Sequence, residues 1–295
     1  MPCSDGQPKI TLLVLETSSV PDVTPDFTRR PTIADVYDEG AVSYAEHWAP
    51  ALHRHARGLA DLVPPPPPGH GRTVLDVAAG AGTLLPSLRP VAGEPAAGAR
   101  LVALDYSAGM LALVDPTMPR VQADAAALPL ADGCADIAVY SFVLFLLPDA
   151  RAAVAEAARV LRPGGWLLAA TWGSQLGTEA DVVVSEEVDA AGAPPGPALQ
   201  RSDELTDSPD RIRELLEPVG FTDVATTARP LDAQFDAAST LAMRVGSGNL
   251  GWRFRRLTPS ARAQVQQRAA ARLAVLAPAD FLDQSEVQLT ISRRC

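Results

Sequence analysis

Short apolar runs alternate with segments of helical character through the middle of the chain. The apolar runs have the composition of buried parallel strands, and the intervening segments carry helix start and stop signals such as Ser107, Asp149 and Gly164. Alternating strands and helices indicate βαβ units, and therefore an α/β fold with a parallel sheet covered on both faces. The five predicted strands cover residues 73–78, 100–104, 120–123, 135–141 and 166–171.

The flanking regions are less regular. Residues 33–62 predict one helix, or two helices broken near Pro50, and the proline run at residues 64–68 predicts a stiff spacer. After the central region, the sequence predicts a loop over residues 173–202 and then a helix that begins at Ser208 and Pro209. A strand over 221–227, two or three helices over 237–276 and a strand with alternating polar and apolar residues over 286–292 follow.

These patterns divide the chain into three parts. Residues 1–33 carry Pro, Ser, Thr and Asp without periodicity, and we expect a flexible N-terminal extension there. Residues 34–70 predict a helical lid followed by the proline spacer. Residues 71–295 predict the main domain, with inserts on the substrate side around 173–205 and 237–280.

The composition of the chain limits the kinds of partner that we expect it to bind. The chain has 295 residues and a formal net charge of −10, and Lys9 is its only lysine. A chain this acidic does not attract phosphate backbones, so we expect no nucleic-acid partner. The apolar run at residues 10–15 is too short to span a bilayer, and we expect no membrane insertion.

The cysteines suggest neither a disulfide framework nor a zinc site. Cys3, Cys134 and Cys295 are far apart and form no CxxC pair. This usage fits a reducing, cytoplasmic location and a protein without a metal ion. The oligomeric state stays open between a monomer and a homodimer.

A glycine loop, Gly80-x-Gly82, follows the first strand and precedes a helix. Such a loop lets a ligand touch the backbone, although an ordinary glycine-rich turn has the same appearance. A dinucleotide fingerprint needs a third glycine where this chain has Leu85, and no Gly-Lys-Ser/Thr follows as in a P-loop. The loop therefore predicts a nucleotide-like ligand without a diphosphate.

Two carboxylates follow the next two strands. Asp105 closes the second strand, at the sheet edge that faces the ligand in such folds, and can accept both hydroxyls of a ribose. The alternative, a cap for the next helix, is a role that Ser107 already fills. Asp124 and Ala125 follow the third strand and can bind the edge of adenine, unless Asp124 only makes a turn.

Together these motifs resemble the class I S-adenosylmethionine (SAM)-dependent methyltransferases. The motifs in order are Asp76-x-Ala78-x-Gly80-x-Gly82, Asp105, Asp124-Ala125 and the segment 161–165, Leu-Arg-Pro-Gly-Gly. The chain is most similar to the group that includes the ubiquinone and menaquinone biosynthesis enzymes and many small-molecule methyltransferases. The resemblance implies a Rossmann-like seven-stranded sheet of order 3-2-1-4-5-7-6 with the last strand antiparallel, SAM as cofactor and S-adenosylhomocysteine as product.

The resemblance also implies roles for individual residues. Gly80 and Gly82 would lie beside the methionyl part of SAM, and Ser141 and Phe142 would line the reaction face. Ala78 departs from the glycine that the family often has. For Tyr37 and Tyr44, a role in covering the cofactor and plain packing stay open. The full set of implied cofactor contacts is Tyr37, Tyr44, Asp76, Ala78, Gly80, Gly82, Asp105 on the ribose, Tyr106 and Met110 against adenine, Asp124 at its amino group, Ala125, Ser141 and Phe142.

No catalytic base is evident. Many relatives carry a histidine after the fourth strand, where this chain has the apolar segment 143–147. His47 is our hypothesis for a base, against the alternative of a partly exposed helix histidine, whereas His53 and His55 are expected to face solvent. Trp172 could form a wall of the substrate pocket or belong to the core, and Arg244 could hold an acidic or phenolic substrate or lie at the surface.

These observations predict a methyltransferase that acts on a small, partly apolar molecule. Oxygen is the favoured acceptor, before carbon or nitrogen. The Ala- and Arg-rich, lysine-poor composition is typical of GC-rich bacterial genomes and favours natural-product or quinone-like metabolism. The alternative is a SAM-binding protein of the same fold that does not methylate, such as a cyclase or decarboxylase. A nucleotide-binding dehydrogenase is a weaker alternative, which Leu85 opposes.

Overall fold

A computed structural model describes residues 32–174, 177–198 and 200–295 of the chain. Residues 1–31, and with them nearly all of the predicted N-terminal extension, lie outside the described residues. The described strands are β1 Thr73–Val77, β2 Arg100–Asp105, β3 Arg120–Gln122, β4 Ala135–Ser141, β5 Leu161–Trp172, β6 Phe221–Pro230, β7 Ala233–Gln234, β8 Leu282–Asp283 and β9 Glu286–Arg294.

Seven of these strands form one sheet in the order β3-β2-β1-β4-β5-β9-β6. The five strands from β3 to β5 are parallel, and β9 runs antiparallel to both β5 and β6. The predicted order and the single reversed strand are confirmed, since β7 and β8 only pair with each other. The carboxyl ends of β1, β2 and β4 therefore meet at one edge, where ligands bind in such sheets.

Ten α-helices are present in the described part of the chain. They are α1 Ile33–Ser43, α2 Ala49–Ala56, α3 Leu85–Ala92, α4 Ala108–Leu113, α5 Ala150–Val160, α6 Glu179–Ala190, α7 Pro209–Leu216, α8 Ala237–Gly246, α9 Gly248–Arg255 and α10 Pro259–Leu273. None of the helices described is long and apolar enough to cross a membrane.

The predicted helix starts agree with local capping chemistry. The side chains of Ser107, Asp149 and Ser208 accept hydrogen bonds from backbone N–H groups three residues on and begin α4, α5 and α7. The break in the N-terminal helix lies before Pro50, at a π-helical segment Tyr44–Trp48. Pro50 itself occupies the first turn of α2, where its missing N–H costs nothing.

Two boundaries differ from the prediction. The predicted loop over residues 173–202 contains α6, which begins at a capping box formed by Thr178 and Asp181. Strand β5 begins at Leu161 instead of Trp166, because Leu161 already pairs with Ala135 before the ladder shifts register. The segment 162–165 therefore ends α5 by turning directly into the sheet.

The apolar core lies on both faces of the sheet, with a third cluster outside it. One face packs α5 and α7 against residues such as Tyr140, and the other packs α2 and α3 against residues such as Val139. The third cluster joins α6 to the helices between β7 and β8 through residues such as Val184 and Val265. We call α6, α8, α9 and α10 the helical cap. These helices come from the two predicted inserts.

Candidate functional site

A cleft of about 370 Å³ opens at the carboxyl edge of the sheet. The structure brings together eleven of the residues predicted for the cofactor, which come from the carboxyl ends of β2 and β4, the loops after β1, β2, β3 and β4, the start of α4 and the N-terminal helical segment. The eleven are Tyr37, Tyr44, Ala78, Gly80, Asp105, Tyr106, Met110, Asp124, Ala125, Ser141 and Phe142.

The glycine loop turns sharply after β1. Ala78, Gly80 and Gly82 all have positive φ, at 60°, 56° and 77°. A Cβ on Gly80 would lie 3.9 Å from the ring of Tyr44, so glycine here leaves open space below that ring. Gly82 does not line the cleft, and its φ of 77° favours glycine; a Cβ there would also crowd the Leu85 side chain at 2.9 Å. Ala78 tolerates its methyl but holds a conformation that favours glycine.

Asp105 ties this loop to β2. One carboxylate oxygen accepts a hydrogen bond from the Gly80 N–H at 2.7 Å, and the other accepts from the Ser107 N–H at 2.8 Å. Burial raises the pKa of Asp105, and these N–H donors oppose the shift. Each oxygen keeps a further lone pair, so Asp105 can still accept hydrogen bonds from a ligand in the cleft.

Helix α1 lines one side of the cleft. Tyr37 and Tyr44 meet edge to face, with ring centroids 5.7 Å apart. Asp38 accepts hydrogen bonds from the Ser107 hydroxyl at 2.5 Å and the Gly109 N–H at 2.8 Å, which fixes α1 on the start of α4. Burial raises the pKa of Tyr37 to about 12, and burial raises the pKa of Tyr44 as well, so both phenols stay neutral at physiological pH.

The far side of the cleft suits a flat ring. Met110 is fully buried and Tyr106 lies half exposed at the rim. Asp124 is exposed, lines the cleft and accepts a hydrogen bond from the Ala126 N–H at 2.9 Å. Oδ1 of Asp124 therefore stabilises a turn, and Oδ2 can still accept a hydrogen bond from a ligand. Ala125 is buried beside it.

Phe142 marks the end of β4. Its φ of 54° lies in a region that is strained for a bulky residue. Its ring packs on Trp172 at 4.8 Å, and Trp172 also approaches Phe145 at 6.5 Å. Trp172 thus packs against Phe142, which lines the cleft, but is not itself among the described residues that line it. Strain of this kind clusters at functional sites.

Asp76 differs from Asp105. It is buried, and neither of its carboxylate oxygens has a hydrogen-bond partner. Burial, and secondarily the charge of Asp105, raises the pKa of Asp76 to about 8. Asp76 lies against a small second cavity of about 50 Å³ that shares Tyr44, Gly80 and Phe142 with the cleft.

His47, His53 and Arg244 are not among the described residues that line the cleft. His47 is one-third exposed, 3.9 Å from Glu46, and is not among the described residues that line the cleft. Arg244 donates to Asp181 of α6 at 2.5 Å, within the helical cap. His53 is partly exposed, and it also lines the small cavity, where its Nδ1 is buried.

Sequence reasoning missed several lining residues. They are Thr32, Ile33, Ala34, Val77, Ser107, Ala123, Val143, Leu146, Leu147, Pro148, Ala198 and Gln200. Most are small or apolar and carry no motif, so only their place in the fold brings them to the cleft. Across the described residues, no group of His, Cys, Asp and Glu side chains could hold a metal ion.

The chain is similar to known proteins over part of its length. A family model described as a methyltransferase domain matches residues 75–169. The demethylmenaquinone methyltransferase of Renibacterium salmoninarum is 44% identical over 103 residues, which cover 34% of this chain and 41% of the relative. The match thus spans less than half the length of such relatives.

Solved structures show the same fold. The [4+2]-cyclase SpnF has a TM-score of 0.56 at 16% identity, covering 90% of this chain and 97% of its own. Phosphoethanolamine N-methyltransferase 2 of Haemonchus contortus, solved with phosphomonomethylethanolamine and S-adenosylhomocysteine, has a TM-score of 0.51 at 16% identity, covering 90% and 60%. Residues 75–169 thus match a methyltransferase domain, and they lie in a sheet whose strand order is the one expected of the class I SAM-dependent methyltransferase fold.

Proposed function

We propose that this protein transfers a methyl group from SAM to a small-molecule acceptor. The observation that carries the proposal is the cleft in which the glycine loop, Asp105 and Asp124 converge at the carboxyl edge of the sheet. This set suits an adenosine, because it offers carboxylates for a ribose and an adenine edge and no third glycine for a diphosphate.

The residues present fit the cofactor. Asp105 would accept the ribose hydroxyls through its free lone pairs, and Met110 and Tyr106 would pack the adenine. Asp124 would accept from the adenine amino group. Tyr37 and Tyr44 would cover the bound molecule, because α1 is already fixed over the cleft by Asp38.

Bound SAM supplies an electrophilic methyl group on a sulfonium. The chain's own part is to align the acceptor with that methyl group and to exclude water. None of the described residues that line the cleft is His, Lys or Arg, and the phenols of Tyr37 and Tyr44 hold their protons. The acceptor must therefore arrive already nucleophilic, which favours an acidic oxygen such as a phenol or a carboxyl group.

The acceptor class follows from the lining and the relatives. Leu146, Leu147 and Pro148 make the mouth of the cleft apolar, which suits a small, partly apolar molecule. The relatives named demethylmenaquinone methyltransferases support a quinone-like acceptor, and the composition supports a bacterial natural-product pathway. The three dispersed cysteines support a cytoplasmic site of action.

The alternative is a SAM-binding protein of this fold that does not methylate, such as a cyclase or decarboxylase. The lack of a basic side chain in the described lining of the cleft favours it as the second candidate. The proposal does not use His47, which has no contact with the cleft.

Calorimetry and methyl transfer test the proposal together. Purified protein is titrated with S-adenosylhomocysteine and then incubated with methyl-labelled SAM and a panel of phenols, carboxylic acids and demethylated quinones. We expect binding and labelled product. Asp105→Ala should weaken binding at least about tenfold, because it removes charge-assisted hydrogen bonds, whereas Asp61→Ala at the surface should not.

Two results would count against methyl transfer. A wild-type protein that does not bind S-adenosylhomocysteine contradicts the cofactor. Tight binding with no labelled product from any acceptor class would favour the non-methylating alternative.

A further inference from the structure

Arg201 lies beside the mouth of the cleft. Its chain neighbour Gln200 lines the cleft, and the central carbon of its guanidinium lies 5.4 Å from the ring centroid of Phe145. Phe145 is buried and directly precedes Leu146 and Leu147, which line the mouth. The guanidinium therefore borders the part of the cleft that we assign to the acceptor.

Ser202 holds this segment in place. Its backbone N–H donates to the Phe145 carbonyl at 2.9 Å, and its hydroxyl donates to the Leu147 carbonyl at 2.8 Å. The hydroxyl oxygen also accepts a hydrogen bond from the Ala150 N–H at 3.3 Å, and Ser202 is buried. The residue next to Arg201 is thus tied to the turn after β4, which fixes the backbone of Arg201 relative to the cleft.

Asp203 occupies only one edge of the guanidinium. It accepts hydrogen bonds from Nε and Nη2 of Arg201, both at 2.6 Å, and both side chains are partly exposed. Within the part of the chain that the structure describes, Nη1 meets no hydrogen-bond acceptor, so its N–H groups remain available to a ligand. Pairing with Asp203 raises the pKa of Arg201, so the guanidinium stays charged and can bind an anion but cannot act as a base.

The charge of Arg201 also acts inside the cleft. Burial raises the pKa of Tyr37, which lines the cleft, and the positive charge of Arg201 opposes that shift. The charged residues in the described lining are Asp105 and Asp124, both of which we assign to the cofactor. Arg201 therefore supplies a positive charge beside the acceptor, where the lining itself is apolar.

We propose that Arg201 binds a carboxylate of the acceptor, and that the acceptor is a small apolar acid. This rests on the proposed function, because it concerns the acceptor of that methyl transfer. The apolar mouth would hold the body of the molecule, and the free N–H groups of Arg201 would donate to its carboxylate. An acid is then favoured over an uncharged molecule of the same shape, because charge-assisted hydrogen bonds are about twice as strong as neutral ones.

The test compares phenolic acids with their primary amides. Protein saturated with S-adenosylhomocysteine is titrated by calorimetry with para-hydroxybenzoate, para-hydroxyphenylacetate and para-coumarate, and with the amide of each, which keeps the phenol and the shape but has no charge. We expect at least one acid to bind at least about tenfold more tightly than its amide, as for a hydrogen bond between charged groups. Arg201→Gln should weaken binding of that acid about tenfold and change binding of its amide less than about twofold.

Two further variants serve as controls. Arg201→Lys keeps the positive charge without the planar guanidinium, so it should retain part of the preference for the acid. Arg211 also forms an exposed ion pair, with Glu214 at 3.1 Å, but it belongs to α7, which contributes no residue to the described lining of the cleft. Arg211→Gln should leave both affinities unchanged.

Binding of S-adenosylhomocysteine separates this inference from the proposed function. A wild-type protein that does not bind S-adenosylhomocysteine contradicts the proposed function. Where it does bind, the absence of acid binding, or equal affinity for every acid and its amide, overturns the role of Arg201 alone. An acid preference that survives Arg201→Gln, or equal weakening of acid and amide in that variant, overturns it as well.

Retained binding of S-adenosylhomocysteine shows that a variant is folded. If Arg201→Gln loses that binding, Arg201→Met takes its place, with the same expected result and the same results against the inference.

Discussion

Two aspartates on neighbouring strands behave differently because of the donors around them. Asp105 accepts backbone N–H groups of Gly80 and Ser107, which favour its ionised form against burial. Asp76 has no donor, and burial raises its pKa to about 8. Asp105 therefore acts as a hydrogen-bond acceptor held in place by backbone donors, whereas Asp76 is a group that can change its protonation state near neutral pH.

Asp76 predicts a proton release on cofactor binding. Without ligand its carboxyl is mostly protonated at pH 7, because its pKa is about 8. In the proposed function Asp76 is a cofactor contact, and the ammonium group of the cofactor beside it would lower that pKa, so binding of S-adenosylhomocysteine at pH 7 should release about one proton per site. Release should fall as the pH rises above the ligand-free pKa, since the carboxyl is then already ionised. Calorimetry in buffers of different ionisation enthalpy measures it.

The control isolates Asp76 from its neighbours. The small cavity at Asp76 is also lined by Tyr44 and His53, and the charge of Asp105 acts on Asp76. Tyr44 keeps its proton, because burial raises its pKa. Asp76→Asn should abolish the proton release on binding of S-adenosylhomocysteine. The analogue 5′-methylthioadenosine lacks the amino-acid end with its ammonium group, so it should cause no release in the wild-type protein. A release that persists in Asp76→Asn would assign the proton to another group.

Helix α1 is held from two sides by adjacent acids. Asp38 contacts the start of α4, whereas Glu39 accepts from Arg255 of α9 at 3.2 Å and from the following Arg256 at 2.8 Å. Successive residues on a helix point about 100° apart, so neighbouring carboxylates can reach different partners. The helix thus links the cofactor cleft to the helical cap and holds Tyr37 in place.

Removing the hydrogen bonds between Asp38 and the start of α4 should loosen the attachment of α1 beside the cleft. Asp38→Ala takes away the acceptor for the Ser107 hydroxyl and the Gly109 N–H at the start of α4. We expect the free energy of unfolding to fall by about 1–2 kcal/mol, as for the loss of a helix cap. Binding of S-adenosylhomocysteine should weaken about 3- to 10-fold, as expected for the loss of about one net hydrogen bond.

Val42→Ala serves as the control on the same helix. Val42 is more than half exposed, and its truncation should change neither quantity. Unfolding in urea and calorimetry measure both effects. Equal behaviour of the two variants would contradict the role of Asp38.

Helix α6 shows why one element escaped prediction. Its acidic residues form ion pairs inside the cap, and Glu187 is itself buried. A helix that buries charged residues with apolar ones has no clear polar face, so its periodicity is weak. The helices with a single apolar face and a cap residue, such as α5 and α7, agreed with the prediction.

The two inserts meet although β6 and β7 separate them in the chain. Four arginines of α8, α9 and α10 pair with acids of α6: Arg244 with Asp181, Arg253 with Asp189, and Arg268 and Arg272 with Glu187. These pairs surround the apolar cluster of the cap. The cap therefore depends on charge complementarity between distant segments.

Glu187 joins α6 to α10 through two arginines. Its side chain is 10% exposed and accepts from Arg268 at 2.8 Å and Arg272 at 2.9 Å. Glu187→Gln should lower the free energy of unfolding by about 1–2 kcal/mol, less than for a fully buried pair because both arginines are partly exposed. Glu214→Gln, in an exposed pair with Arg211, should cost less than about 0.5 kcal/mol. Equal losses in urea unfolding would contradict this assignment.

Local sequence was enough for the strands of the seven-stranded sheet, the caps of α4, α5 and α7 and the turn at Gly80, because burial and capping act within a few residues of the chain. The known family pattern supplied the strand order, which the fold confirms. Long-range packing alone set the rest: Asp38 meets Ser107 across 69 residues, and Arg244 meets Asp181 across 63. The same packing brings His53 of α2 and Asp76 of β1 to one small cavity. Such contacts depend on which distant segments share a surface, and no local pattern of residues encodes that.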